Sequence, residues 1–211
     1  MSDTASMAER PLRTDAARNA DRILRAAREV FAEVGPDAQI DTIAQRAGVG
    51  ERTLYRRFPT KADLLRAAVD QSIDENLSPA IEKALVQKDP LRGLTDLIEA
   101  ATALGAAEHN ILAAARRADA LANIADRLEA AMQELTSRAQ KGGLVRTDLV
   151  AEDLPRIIAM LNSVLWTMQV GSDGWRRYVA LVLDAITTES PRPLPAAVPL
   201  NHPRSLDNWP M

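Results

Sequence analysis

Apolar residues recur every three or four positions along most of this chain, and no run of β-branched residues alternates with polar ones, so the pattern predicts helices throughout. The first spans about Asp15 to Val34, with Ile23, Leu24, Ala27, Val30, Phe31 and Val34 on one stripe and Arg18, Arg22, Arg25 and Glu29 on the other. Gly35-Pro36 ends it by capping and then forbidding continuation. A short helix follows from Ile40 to Ala47, with Ile40, Ile43, Ala44 and Ala47 inward, and Gly48 closes it in a left-handed turn. Gly50 serves as the N-cap of a third helix, Glu51 to Phe58. There Leu54 and Phe58 face the core, leaving Arg52, Thr53, Tyr55, Arg56 and Arg57 pointing away. Phe31 and Ile23 are expected to pack on Ile43, Leu54 and Phe58 as a three-helix miniature core. Thr60 and Asp63 form an approximate capping box for a fourth helix, with Leu64, Leu65, Ala68 and Val69 inward, running to about Leu77 before Ser78-Pro79 interrupts.

Beyond Pro79 the expected order is helix after helix: Pro79 to about Val86, Leu91 to about Ala107, Asn110 to Arg117 and Ala120 to Ala139. Gly142-Gly143 ends that run, Leu144 to Leu149 connects, and a helix carrying Pro155 in its first turn continues to about Val170. It carries no charge from Ile157 through Gly171, and the next helix, Trp175 to Ile186, is apolar on most of its circumference. Spanning a bilayer takes roughly 20 apolar residues, more than either supplies. Helices greasy on two sides need two partners, the core and the same pair of helices, at about 151–170 and 175–188, of a second subunit. The tail from Ser190 holds six of the chain's twelve prolines and reads as a mobile extension. The expected organisation is a flexible arm at 1–14, a helix–turn–helix domain at 15–66, a helical domain at 67–189 and a Pro-rich tail at 190–211.

Composition narrows the function classes. With 211 residues and 46% hydrophobic content there is material for a real core. Without cysteine there is no disulfide or thiolate metal site, and with no secretory signal the chain is expected in the cytoplasm. The net charge is −3, yet residues 9–67 hold 12 Lys or Arg against 9 Asp or Glu, so the positive excess falls on the helix–turn–helix stretch. Lys61, at the first helical position after the turn, is disfavoured by the helix dipole unless an external anion lies near, and a helix start is itself an anion site.

Ile43-Ala44, Ala47-Gly48-Val49, Thr53-Leu54-Tyr55, Phe58 and Lys61 occur in an order and spacing that resembles the DNA-binding domain of the tetracycline-repressor (TetR) family. Arg18-Asn19-Ala20-Asp21-Arg22-Ile23-Leu24 and Phe31-Ala32-Glu33-Val34-Gly35 precede them and extend the likeness over residues 13–66. The resemblance implies an all-α homodimer that binds a palindromic operator, usually represses, and releases the DNA when a small molecule occupies the C-terminal ligand-binding and dimerisation domain. It also implies that Tyr55 and Lys61 grip phosphates and that Thr53 touches backbone or base. Arg56 or Arg57 would pair with guanine, a contact worth about 1–3 kcal/mol of discrimination. Two positions depart from the family's habit. Arg52 stands where a small residue is common, and Gly50 replaces the usual serine cap.

Elsewhere the chemistry is sparse. His109, Asn110, Met132, Met160, Asn162 and Trp166 are candidates for lining an effector cavity, although capping or core packing accounts for the same residues at helical spacing. Two distant histidines and no HExxH leave no recognisable zinc site, Gly48-Val49-Gly50 lacks the strand and third glycine of a dinucleotide loop, and no nucleophile–base pair stands out. No cofactor and no enzymatic activity are expected. The expected function is a DNA-binding transcriptional regulator, with a helical small-molecule binder or an activator lacking a releasing ligand as the alternatives.

Overall fold

A computed structural model describes residues 4–35, 37–117, 124–165, 167–169, 172–187 and 192–196, with side chains from residue 18 onward except 116–117 and 124–126. Among the described residues every regular element is a helix: α1 (Thr4–Val34), α2 (Ile40–Ala47), α3 (Glu51–Arg57), α4 (Lys61–Leu85), α5 (Pro90–Ala107), α6 (His109–Arg117), α7 (Ile124–Lys141), α8 (Asp153–Leu165) and α9 (Trp175–Ile186). The fold is all-α. None of these helices is long and apolar enough to cross a membrane. Two compact units are formed, Met1–Gln71 with Asn110–Ala120, and Ser72–His109 with Leu121–Met211.

In the first unit α1 packs on α2 and α2 on α3. The expected core is present, since Ile23, Phe31, Ile43, Leu54 and Phe58 are all buried. Three details differ from the sequence reading. Helix α1 starts at Thr4 instead of Asp15, through a stretch expected as an arm, where Ala5, Met7, Ala8, Glu9 and Arg10 are all good helix formers. Val34, placed on the buried stripe by periodicity, is 61% exposed because it is the last residue of α1, with the chain already turning away at Gly35. Ile40, at the first position of α2, is half-buried rather than enclosed.

Helix α4 contains Pro79 and runs through it, where two helices were expected. A proline inside a helix costs about 3 kcal/mol. Ile73, Leu77 and Ile81 are buried on either side of it, and each fully buried aliphatic side chain returns about 1.5–3 kcal/mol, so packing outweighs the break.

In the second unit α5 packs against α7, α8 and α9. Asp89 caps α5, its carboxylate accepting from the amides of Leu91 (2.9 Å) and Arg92 (3.2 Å), with Pro90 pre-set at the first position. Leu94, Leu97 and Ile98 of α5 and Met132 and Leu135 of α7 are fully enclosed. Gly105 is buried within α5, and the Asn162 side chain of α8 occupies the space its missing Cβ leaves. The α5–α6 break is the single residue Glu108. Helix α8 carries Pro155 in its first turn as expected, but ends at Leu165.

After α9 the described part of the tail is held to the connector that follows α7. Arg146 pairs with Asp148 (2.6 and 3.0 Å) and donates to the Arg192 carbonyl (2.5 Å), while the Leu194 amide donates to Asp148 (2.8 Å). These bonds hold the Asp148 carboxyl well below the usual carboxylate range. Trp209 and the rest of the tail lie outside the described residues.

Candidate nucleic-acid interface

The turn between α2 and α3 is built by backbone chemistry. Gly48 adopts φ +65°, a left-handed conformation costly for any residue with a Cβ, and its amide and that of Val49 bond back to Gln45 (3.1 Å) and Ala44 (3.0 Å). Gly50 is extended at φ −72°, ψ 147°, and its carbonyl accepts from Thr53 (2.9 Å) and Leu54 (3.1 Å). Glu51 stands in the first turn of α3 and Arg56 and Arg57 in the last, each sign complementing the dipole end it occupies.

Leu54 is fully enclosed and Phe58 nearly so, which fixes the roll of α3 about its axis. Arg52, Tyr55, Arg56 and Arg57 are therefore exposed and Thr53 is half-buried. Among the described residues no ion pair or hydrogen bond engages Arg52, Arg56 or Arg57, although the Arg57 guanidinium lies 5.5 Å from the centre of the Phe58 ring. A row of cations without acidic partners on a rigid short helix presents positive charge outward at little reorganisation cost.

Lys61 opens α4 beside this face. The capping box is real: Thr60 and Asp63 exchange bonds, the Asp63 amide to the Thr60 hydroxyl and the Thr60 amide to the Asp63 carboxylate, both at 3.1 Å. Lys61 itself is half-buried with its ammonium 5.5 Å from the centre of the Phe31 ring. That contact steadies the cation without neutralising it. Gly50, Arg52, Thr53, Tyr55, Arg56, Arg57 and Lys61 thus all belong to the α3 helix and its two flanks in the first unit.

The sequence reading missed what holds this element from behind. Arg46, in the last turn of α2, grips the Glu33 carboxylate of α1 at 2.6 and 2.9 Å and reaches Glu29 at 3.4 Å. Hydrogen bonding with Arg46 holds the Glu33 carboxyl below its ordinary range and raises Arg46. Residues 13 apart on different helices carry no periodic signal, so only the fold reveals the pair.

The candidate effector residues have unlike surroundings. In the second unit Met132 is fully enclosed, Met160 is 60% exposed, and the Asn162 side-chain oxygen is buried against Gly105 without a hydrogen-bond partner among the described residues. His109, at the start of α6, is half-buried, and burial pushes its imidazole pKa down. Asn110 belongs to the first unit, where its side-chain amide donates to the Ala32 carbonyl of α1 at 3.2 Å. Trp166 lies outside the described residues. Among the described residues no group of three or more His, Cys, Asp or Glu is placed to hold a metal ion.

The likeness to known proteins falls on the same segment. The family described as bacterial regulatory proteins, tetR family, matches residues 23–68. No curated protein matches the chain. Among solved structures, a TetR transcriptional regulator from Streptomyces coelicolor is 28% identical, with 81% of this chain and 99% of that one covered and a TM-score of 0.60. A TetR transcription regulatory protein from Mycobacterium vanbaalenii is 29% identical, with 84% of this chain and 100% of that one covered and a TM-score of 0.57. The transcriptional regulator FadR from Bacillus subtilis, solved with stearoyl-CoA, is 19% identical and shares the fold, with 79% and 97% covered and a TM-score of 0.65. Helix–turn–helix, all-α architecture and matched segment agree: the chain is similar to the tetR family of bacterial regulatory proteins, by sequence over residues 23–68 and by fold over most of its length.

Proposed function

We propose that this regulator is a homodimeric repressor that reads a palindromic operator through α3 and leaves it when a small molecule binds the second unit. The observation that carries the reading is the cationic outward face of α3, held at a fixed roll by enclosed Leu54 and Phe58. Arg56 or Arg57 reads guanine in the major groove, Thr53 touches backbone or base, and Tyr55 and Lys61 bind phosphate. Arg52, larger than the residue common in the family, extends the same face, and exposed Gly50 lets the phosphate backbone approach the start of α3.

The dimer forms through α8 and α9, which pack on each other and still leave Met160, Tyr178 and Leu181 exposed at 60%, 38% and 54%. On α9, exposed Tyr178, Leu181 and Ala185 follow helical spacing along one stripe, away from buried Trp175, Val179 and Ile186. A two-fold axis through that face sets the two α3 helices about 34–36 Å apart, or a multiple of a DNA turn, which demands a palindromic site.

An effector acts by binding one spacing of the heads better than the other. The Bacillus subtilis FadR structure is a complex with stearoyl-CoA, so a chain of this fold can accept a large ligand. Among this chain's candidates, His109 and Asn162 are the polar ones of the second unit, beside Met132 and Met160.

Selection of bound fragments from genomic DNA tests the reading. The expected outcome is recovery of fragments sharing an inverted repeat, with Arg57→Ala losing affinity for them while its helicity and dimerisation persist. Recovery of no common sequence, or equal binding by Arg57→Ala and Tyr55→Ala, overturns it.

A further inference from the structure

Helix α1 ends with a carbonyl that the residue four positions on cannot satisfy. The Phe31 carbonyl accepts from the Gly35 amide at 2.9 Å, as a helix requires. The Ala32 carbonyl would look to residue 36, and residue 36 is proline, which has no N–H. The donor comes from 78 residues away: the Asn110 side-chain amide of α6 reaches the Ala32 oxygen at 3.2 Å.

The next residue along α1 is Glu33, whose carboxylate is gripped by Arg46 at the end of α2. Adjacent residues of the last turn of α1 are therefore tied to α6 on one side and to α2 on the other. Two residues after Arg46 the chain enters the Gly48 turn that sets α3. We propose that Asn110 is a positioning residue for DNA reading: through the Ala32 carbonyl and the Glu33–Arg46 pair it fixes the angle at which α2 and α3 are presented. The inference rests on the reading of α3 as the DNA-facing helix. It also gives Asn110 a task other than lining an effector cavity. The chain re-enters the first unit at Asn110, directly after His109, so an effector that moved the end of α5 would draw on this bond.

The test uses the full-length protein and a fluorescent duplex recovered by the genomic selection, at one fixed salt concentration. Residues along such a network change coupling by about 0.5–2 kcal/mol, so Asn110→Asp and Asn110→Ala should each bind about 2- to 30-fold more weakly. The thermal midpoint should hardly move, because the side chain is only half-buried, while amide exchange across residues 40–47 should quicken. Glu33→Gln breaks the other end of the link. Its loss combined with that of Asn110→Asp should fall short of the product of the two single losses, as expected for residues in one network. Full affinity in both Asn110 variants, or a double variant whose loss is the product of the singles, overturns the proposal while leaving the DNA reading intact. Failure of the unaltered protein to bind any duplex overturns the DNA reading itself.

Discussion

At the scale of single residues, the placement of α3 depends on a few positions whose chemistry is hard to replace. Gly48 is one, and nothing lies within 4 Å of where its Cβ would be, so the penalty for alanine is the backbone conformation alone. Gly48→Ala should cost about 1–2 kcal/mol in urea unfolding, since an L-residue is strained by about that much in the left-handed region. Glu33 is another. Its pairing with Arg46 lowers its folded pKa, so the pair stabilises the protein above the unfolded carboxyl value of about 4.3 and the contribution is lost as pH falls through the still lower folded value. Glu33→Gln should therefore flatten the acid limb of a stability-against-pH curve while lowering stability at neutral pH; an acid limb as steep as before would contradict the pairing. Both side chains are largely exposed, at 38% and 56%, so solvent and salt screen the effect. Gly48, Leu54 and Phe58 were legible in the sequence because turn geometry and helical period announce them. Glu33–Arg46 and Asn110–Ala32 were not, because a polar contact between distant segments leaves no period.

At the scale of elements, helix identity was readable and helix ends less so. The α9 boundaries, Trp175 and Ile186, match the sequence expectation because the apolar run stops sharply there. Helix α4 does not, since local propensity sees Pro79 as a stop while Ile73, Leu77 and Ile81 keep the helix going by burial. Pro79→Ala restores the missing amide and removes the ring clash, so it should raise the unfolding free energy, by at most about 3 kcal/mol. Unchanged or reduced stability would mean that the neighbouring side chains have adapted to the proline ring. The tail gave a similar lesson in reverse. Its described residues, 192–196, form no helix, as expected, yet Arg146 and Asp148 hold residues 192 and 194 through backbone groups that composition cannot reveal.

At the scale of the whole molecule, the likeness to the tetR family was written in the first 70 residues, whereas the second unit kept its chemistry hidden. A turn and a reading helix need particular residues at particular places, but a helical core can be filled by any well-packed aliphatic set, so Met132 was as ready to be core as cavity lining. The exposed apolar stripe on α9 carries a prediction of its own. Leu181→Asp puts a charge on a 54% exposed surface, which is tolerated in a monomer, but it should dissociate the proposed dimer and abolish operator binding with little loss of helicity. Sedimentation at micromolar concentration reads the outcome, and a dimer as stable as before would move the interface elsewhere.

The proposed DNA reading comes down to cations of α3 and the start of α4 replacing counterions on a DNA duplex. Affinity for the selected operator, measured across a salt series, tests that most directly. The logarithm of affinity should fall linearly with the logarithm of salt, by about 0.9 for each phosphate neutralised. Lys61→Ala, losing one phosphate contact in each of two protomers, should make the slope shallower by about 2. An affinity indifferent to salt, or a slope that Lys61→Ala leaves as steep as before, would contradict it.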